Sequence, residues 1–204
     1  ILVLGSAPNP ILPESAKDML LVCCNGSAAN LKQLGMQSPV MTVVDFELID
    51  PEIAYTKKVR SDIVKERILA DLQLGTLVGT QSNPAIGGAP EILGAHYDRF
   101  ISIDKFSRRK ILDIVTGTEK LERDVQLTLC STGAFAIALS LFLGARSVSI
   151  SGFTHLMSEG GSSQMHFYDE ASIKLSGKLD TRNHSMADSA LIVLSVLNGH
   201  TILT

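Results

Sequence analysis

Short apolar runs alternate with longer mixed segments along the whole of this 204-residue chain. The runs are rich in β-branched residues, carry apolar side chains at consecutive positions and end at Gly, Asn or Asp. This pattern is typical of strands that are buried on both faces of a parallel sheet. It predicts strands at residues 1–4, 19–24, 40–44, 76–79, 100–103, 147–151 and 201–203.

Helical periodicity fills the segments between these strands. The predicted helix at residues 134–143 is apolar almost all round, so we expect it to be buried. Further helices are predicted at residues 59–73, 107–120 and 185–197. Strands that alternate with helices indicate an α/β fold, in which a mostly parallel sheet carries helices on both faces. At this length we expect a single domain over residues 1–204.

Composition narrows the classes of partner. The net charge of −3 gives no reason to expect a nucleic acid or a membrane surface, and no apolar stretch reaches the length of a membrane span. The basic run Arg108-Arg109-Lys110 is interpreted as a solvated helix start. Cys23, Cys24 and Cys130 lack metal-ligand and disulfide spacing, so we interpret them as buried or semi-buried thiols of a reducing compartment. Cys23 and Cys24 are neighbours in a strand and should point to opposite faces of the sheet.

Candidate ligand contacts follow the first three strands, because open α/β sheets bind ligands beyond the carboxyl ends of their strands. Gly5 and Ser6 form a small-residue turn that lets backbone N–H groups approach a ligand, and an ordinary tight turn is the alternative. Asn25 can exchange hydrogen bonds with a base, a ribose or a phosphate, and the alternative is a common Asn-Gly turn. Asp45 ends the third strand.

A second candidate site is the start of the apolar helix. Ser131 or Thr132 would cap this helix, and Gly133 follows them. A buried helix start with a capping hydroxyl and a glycine suits an anion or a ribose, with an ordinary helix cap as the alternative.

Three histidines occur in or beside the stretch 154–182, which is too long for an ordinary connection and predicts a lid or an active-site loop. His184 precedes the last helix and can serve as a general base, with a surface histidine as the alternative. His155 and His166 are further candidates for contact with a substrate. Their spacing matches no metal-ligand motif, so we expect no metal site.

Four pieces of the sequence, in the same order, resemble the bacterial CMP-sialic acid-dependent sialyltransferases of lipooligosaccharide and the related motility-accessory-factor glycosyltransferases. The opening strand with its turn Gly5-Ser6-Ala7-Pro8 is similar to the first motif of that family, and Cys24-Asn25 is similar to the second. Ser131-Thr132-Gly133 and the strand at residues 147–151 resemble the third motif. The fourth is Gly161-Ser162-Ser163 followed by Asn183-His184-Ser185.

The resemblance implies a Rossmann-like, doubly wound domain with a lid-like loop at residues 154–182, and catalysis without a metal or other cofactor. It implies an inverting glycosyltransferase that moves a sialic acid-like sugar from a CMP-activated donor to a glycan acceptor. His184 would be the general base. The residues implied to hold the CMP part are Gly5, Ser6, Asn25, Ser131 and Thr132.

The chain departs from the family pattern at several positions. Leu156 and Gln164 stand near the places of two phosphate-binding tyrosines, for which His155, His166 or Tyr168 would have to substitute. The family's arginine before the third motif is absent from Thr128-Leu129-Cys130. Asp45 replaces an asparagine, and a carboxylate close to a phosphate is unfavourable unless it is protonated, paired or bound to a cation.

Two other functions fit the same frame. A Mg²⁺-dependent enzyme similar to the pterin pyrophosphokinases would use Asp45 together with Glu47 or Asp50. A non-catalytic nucleotide-binding module would explain the missing tyrosines and arginine. In each case we expect a cytoplasmic protein, free or peripheral to the inner face of the inner membrane, with an apolar content that is compatible with a homo-oligomer.

Overall fold

Seven parallel strands form one sheet in the computed structural model, which describes residues 1–7, 10–45, 71–80, 95–118, 130–153 and 185–203. Every pair of neighbouring strands runs parallel, and five of the strands are buried over most or all of their length. Continuous burial explains why these strands read as uninterrupted apolar runs. The strands are β1 Leu2–Leu4, β2 Leu21–Cys24, β3 Met41–Asp45, β4 Thr76–Thr80, β5 Arg99–Ile103, β6 Ser147–Ser151 and β7 Thr201–Leu203.

The order of the strands places β1 near the middle of the sheet. The order is β5-β4-β3-β2-β1-β6-β7, so the chain builds outward from β1 to β5 and then crosses over to add β6 on the other side of β1. The strand order therefore reverses between β1 and β6. This is the α/β, Rossmann-like architecture that the sequence predicts, and the reversal point is where such sheets open a crevice at their carboxyl edge.

Three α-helices within the described residues pack on one face of the sheet. They are α1 (Lys105–Thr116), α2 (Thr132–Phe142) and α3 (Ser185–Leu197). All three start at the carboxyl edge, because α1 directly follows β5 while α2 and α3 lead into the amino ends of β6 and β7. Every residue of α2 from Ala134 to Leu141 is buried, which confirms the prediction of a buried helix.

The sheet separates two apolar cores. Val22, Val43 and Phe135 belong to the core under the α-helices. The opposite face packs Leu2, Leu4 and Leu77 against residues of two short 3₁₀-helices, Ala16–Asp18 and Asn25–Asn30. The adjacent thiols of β2 divide between these cores, Cys23 on the second and Cys24 on the first, as their alternation in a strand requires.

Three helix predictions need correction at their ends. The buried helix predicted at 134–143 spans Thr132–Phe142, because the hydroxyl of Ser131 caps its first turn. The helix predicted at 107–120 begins instead at Lys105, because the carboxylate of Asp104 caps its first turn, and it ends at Gly117 in the left-handed conformation. The helix predicted at 59–73 does not reach its predicted end, since Asp71 is left-handed with φ 61° and Gln73 bridges to His96. Residues 59–70 lie outside the described part of the chain.

On α3 the predicted bounds agree with the structure. Burial decreases toward the end of this helix, since Leu191 is fully buried whereas Leu197 is 77% exposed. The predicted lid-like loop at 154–182 lies outside the described residues, so the single domain with a lid stays a prediction.

Candidate functional site at the carboxyl edge of the sheet

The turns after β1 and β6 are in backbone contact at the reversal point of the sheet. Gly5 N donates to Ser151 O at 2.8 Å, and Ala7 N donates to Gly152 O at 2.9 Å. A Cβ on Gly5 would lie 2.2 Å from Gly152 O, so only glycine fits here. Ser6 follows in the same turn and is buried. The two predicted contacts Gly5 and Ser6 therefore lie at the reversal point between β1 and β6, where α/β sheets of this kind open a ligand-binding crevice.

Asn25 and Asp45 are brought together at the ends of β2 and β3. Asn25 adopts a left-handed conformation with φ 50°, and its Oδ1 accepts a hydrogen bond from the backbone N–H of Asp45 at 3.0 Å. This carbonyl oxygen is therefore committed to holding the two strand ends together. Both residues are half-buried and lie at the carboxyl ends of two neighbouring strands on one side of β1.

Ser27 ties the end of β2 to the end of β1 and was not singled out from the sequence. Its buried hydroxyl accepts from Cys24 N at 2.9 Å and donates to Leu4 O at 2.8 Å. A serine two residues after Asn25 is a recognisable signal, since such hydroxyls commonly bond to backbone groups in turns. Ser27 supports the frame around the turn that contains Gly5.

The start of α2 reaches the same crevice through an aromatic ring. Ser131 is the N-cap, as predicted, and its Oγ accepts from Ala134 N at 3.1 Å. Thr132 is buried, and a Cβ on Gly133 would lie 2.3 Å from the ring of Phe153, which directly follows the turn after β6. The predicted helix-start site and the crevice are therefore neighbours.

Arg108 corrects the interpretation of its basic run as solvated, because its side chain is fully buried. Its Nη2 donates to Cys130 O and lies 3.3 Å from Cys130 Sγ, and its Cζ is 4.9 Å from the ring centroid of Phe135. The sequence holds a signal for this burial, since Arg108 lies three, four and seven positions before the buried Ile111, Leu112 and Val115. Within the described residues its Nε and Nη1 have no hydrogen-bond partner.

The thiols are not available as nucleophiles at this edge. Cys23, Cys24 and Cys130 are buried thiols, as predicted, and are not joined by a disulfide. Burial raises the pKa of the Cys23 thiol from its ordinary value of 9.0 to about 12, against a smaller lowering by its hydrogen bond with Ser27. Burial, with Cys23 as a second cause, also raises the pKa of Cys24 well above 9.0. Since the thiolate is the reactive form, we expect both thiols to be inert at neutral pH.

The three candidate histidines, His155, His166 and His184, lie outside the described residues, so their place relative to the crevice stays a prediction. In the described part of the chain no three His, Cys, Asp or Glu side chains are grouped so that they could hold a metal ion. No helix in that part is both long and apolar enough to cross a membrane.

Comparison with known proteins adds one remote likeness. No family model and no curated protein sequence matches the chain. Among solved structures, the chain is similar to "Crystal structure of the sialyltransferase CST-II in complex with trisaccharide acceptor and CMP". The TM-score is 0.48 with 14% sequence identity, and the match covers 98% of this chain and 79% of the other. A likeness this remote assigns no role to any residue at the carboxyl edge of the sheet.

Proposed function

We propose that this chain is a glycosyltransferase that binds a CMP-activated, sialic acid-like sugar at the carboxyl edge and transfers the sugar to a glycan acceptor. One observation carries the proposal: the contact of Phe153 with Gly133 joins the start of α2 to the crevice between β1 and β6. A helix start presents unpaired N–H groups and a positive dipole end to an anion, and the crevice accepts the rest of a nucleotide.

The position of each predicted contact supports a division of the donor between two parts of the edge. Ser131, Thr132 and Gly133 would hold the phosphate with the backbone of Gly5 and Ser6. Asn25 directly follows β2 and Asp45 ends β3, and neighbouring strands are about 4.8 Å apart. Asp45 is then far enough from the phosphate for its carboxylate to accept hydrogen bonds from ribose hydroxyls instead of repelling the anion.

The chemistry proposed for His184 follows from the resemblance of the sequence motifs. The CMP group leaves from the anomeric carbon, and a base on the opposite side takes the proton of the acceptor hydroxyl, which inverts the configuration. No metal is invoked, so fixed backbone and side-chain donors have to stabilise the departing phosphate. His155 and His166 are proposed as donors from the 154–182 segment.

Calorimetry with CMP, with a CMP-activated sialic acid and with ATP tests the nucleotide class. We expect CMP to bind equally well in EDTA and in Mg²⁺. Binding of ATP that requires Mg²⁺, with no binding of CMP, would overturn the proposal in favour of an enzyme similar to the pterin pyrophosphokinases. Binding of CMP without transfer or hydrolysis of the donor would leave a nucleotide-binding module and contradict the transferase.

The base is tested by two histidine variants at opposite ends of α3. His184→Ala should lower the transfer rate by about a hundredfold or more, a typical contribution of general base catalysis, while the affinity for CMP stays unchanged. His200→Ala is the matched control, because His200 follows the same helix at the amino edge of the sheet. Equal transfer rates in the two variants would show that His184 is not the base.

A further inference from the structure

One peptide bond at the start of α2 lies between two buried charges. The carbonyl oxygen of Cys130 accepts from Nη2 of Arg108, and the N–H of the same peptide unit, on Ser131, donates to Oδ1 of Asp188 at 2.8 Å. Arg108 is fully buried and Asp188 is 4% exposed. The guanidinium and the carboxylate are therefore linked through the Cys130–Ser131 peptide.

The hydrogen bonding of the buried guanidinium beside this peptide is incomplete. Among the described residues, Arg108 and Asp188 are the buried charged side chains, and two donors of the guanidinium, Nε and Nη1, are left without a partner. A buried donor that lacks an acceptor is costly, and a buried cation still more so when a peptide unit separates it from its counter-charge.

The helix ends add positive charge near this peptide. Arg108 lies in the first turn of α1, beside the positive end of that helix, and Asp188 lies in the first turn of α3. Cys130 and Ser131 lead into α2, so the two hydrogen bonds of their peptide link the first turns of α1 and α3 to the positive end of α2. Asp104 adds a second carboxylate, but it caps α1 from the exposed surface, where solvent screens its charge.

We propose that Arg108 is a positioning residue for an anion site at the start of α2, and that the anion is a phosphate group. The phosphate binds the N–H groups of Thr132 and Gly133, which have no partner inside the helix. Arg108 does not touch the anion; it acts by fixing the Cys130–Ser131 peptide and by its buried positive charge. Asp188 fixes the same peptide but opposes the anion. The inference rests on the proposed function only for the identity of the phosphate, which is that of the nucleotide.

Three variants separate charge from scaffolding. Arg108→Met removes the cation at similar volume and should weaken the binding of inorganic phosphate and of CMP by about tenfold or more. Asp188→Asn keeps an oxygen acceptor for Ser131 N and removes the negative charge, so it should tighten both by about threefold. Lys110→Met removes a positive charge from an exposed position of the same helix and should change neither.

The direction of the Asp188→Asn effect distinguishes this role from a structural one. Removing the guanidinium in Arg108→Met leaves Cys130 O without its donor and the buried carboxylate of Asp188 without its nearby cation, so we also expect this variant to melt at a lower temperature. If Asp188→Asn and Arg108→Met both weaken phosphate binding, the two residues only scaffold the peptide and the proposal is wrong. Asp188→Asn decides the matter alone should Arg108→Met fail to fold.

The two ligands separate this inference from the proposed function. Phosphate binding that depends on Arg108, with no gain in affinity from the cytidine of CMP, would support the anion site and contradict the CMP-dependent enzyme. CMP binding that is the same in wild type and in Arg108→Met would support the enzyme and overturn the role of Arg108.

Discussion

Two pairs of glycines mark the difference between the edges of the sheet. At the amino edge Gly144 and Gly199 follow α2 and α3 with φ 94° and 90°, and a Cβ on either would meet nothing within 4 Å. At the carboxyl edge Gly5 and Gly133 need no positive φ, but a Cβ would collide with Gly152 or with Phe153. Gly144 and Gly199 allow the chain to turn with a positive φ, whereas Gly5 and Gly133 allow Gly152 and Phe153 to pack closely against the backbone.

Hydrogen bonding differs between the same two edges. At the amino edge Asn198 Nδ2 donates to the carbonyls of Ile114 and Val115, and Thr42 Oγ1 donates to Leu74 O. The buried polar atoms without a partner, within the described residues, belong to Thr80 and Arg108, both at the carboxyl edge. Unpaired buried groups in a folded protein call for an explanation, and a ligand that completes the carboxyl edge provides one.

Gly5→Ala should have the largest effect on stability. Its methyl group would lie 2.2 Å from the backbone oxygen of Gly152, and neither backbone can move without opening the β1–β6 pair. We expect a loss of about 3 kcal/mol in the free energy of unfolding, at the upper end for overpacking, measured by urea denaturation. A loss below about 1 kcal/mol, the ordinary effect of a mutation, would contradict close approach of the two turns.

Gly133→Ala should destabilise less, because the obstacle is a side chain. The Cβ would lie 2.3 Å from the ring of Phe153, which can rotate or shift. We expect a loss of about 1–2 kcal/mol, partly offset by the higher helix propensity of alanine. In the double variant Gly133→Ala/Phe153→Leu, the loss of stability should be smaller than the sum of the losses in the two single variants, because the smaller side chain relieves the clash. If the two losses simply add, the ring of Phe153 does not press on the start of α2.

Gly144→Ala should cost about 1 kcal/mol, since only the left-handed backbone is penalised. Gly144→Asn should cost less, because asparagine tolerates positive φ better than alanine. Neither change should alter the affinity for CMP, as Gly144 lies at the amino edge. An altered affinity would remove the functional distinction between the edges.

The smallest expected effect is on the pH dependence of stability. The pKa of Cys23 is raised from 9.0 to about 12, so its contribution is fully present below pH 9 and is lost as the pH rises toward 12. Unfolding at pH 7 and at pH 10 should show lower stability at pH 10, with a weaker decline in Cys23→Ala. If a thiol reagent labels the native protein at pH 8 faster than the protein unfolds, the thiols are accessible in the folded state and their inferred inertness is wrong.

Local patterns in the sequence predicted the elements well, and contacts between distant residues limited the prediction of the site. The bounds of α3 and most strand positions agree, because continuous apolar runs and helical stripes are local properties. The capping of α1 by Asp104 was missed, although an aspartate before a helical stretch is a local signal for it. By contrast, the contact of Gly5 with Gly152 depends on strand order, which no local pattern encodes. The helical spacing of Arg108 holds a signal for its burial, but its partner Cys130 and the hydrogen bond of Ser131 with Asp188 depend on how the helices pack.

Hydrogen exchange with and without CMP tests the central claim most directly. The account predicts slower exchange of backbone amides at residues 5–7 and 130–134, at the carboxyl edge, when CMP is bound. It predicts no change around Gly144 and Gly199 at the amino edge. Protection at the amino edge, or CMP binding that leaves residues 5–7 and 130–134 unchanged, would contradict a nucleotide site between the β1–β6 crevice and the start of α2.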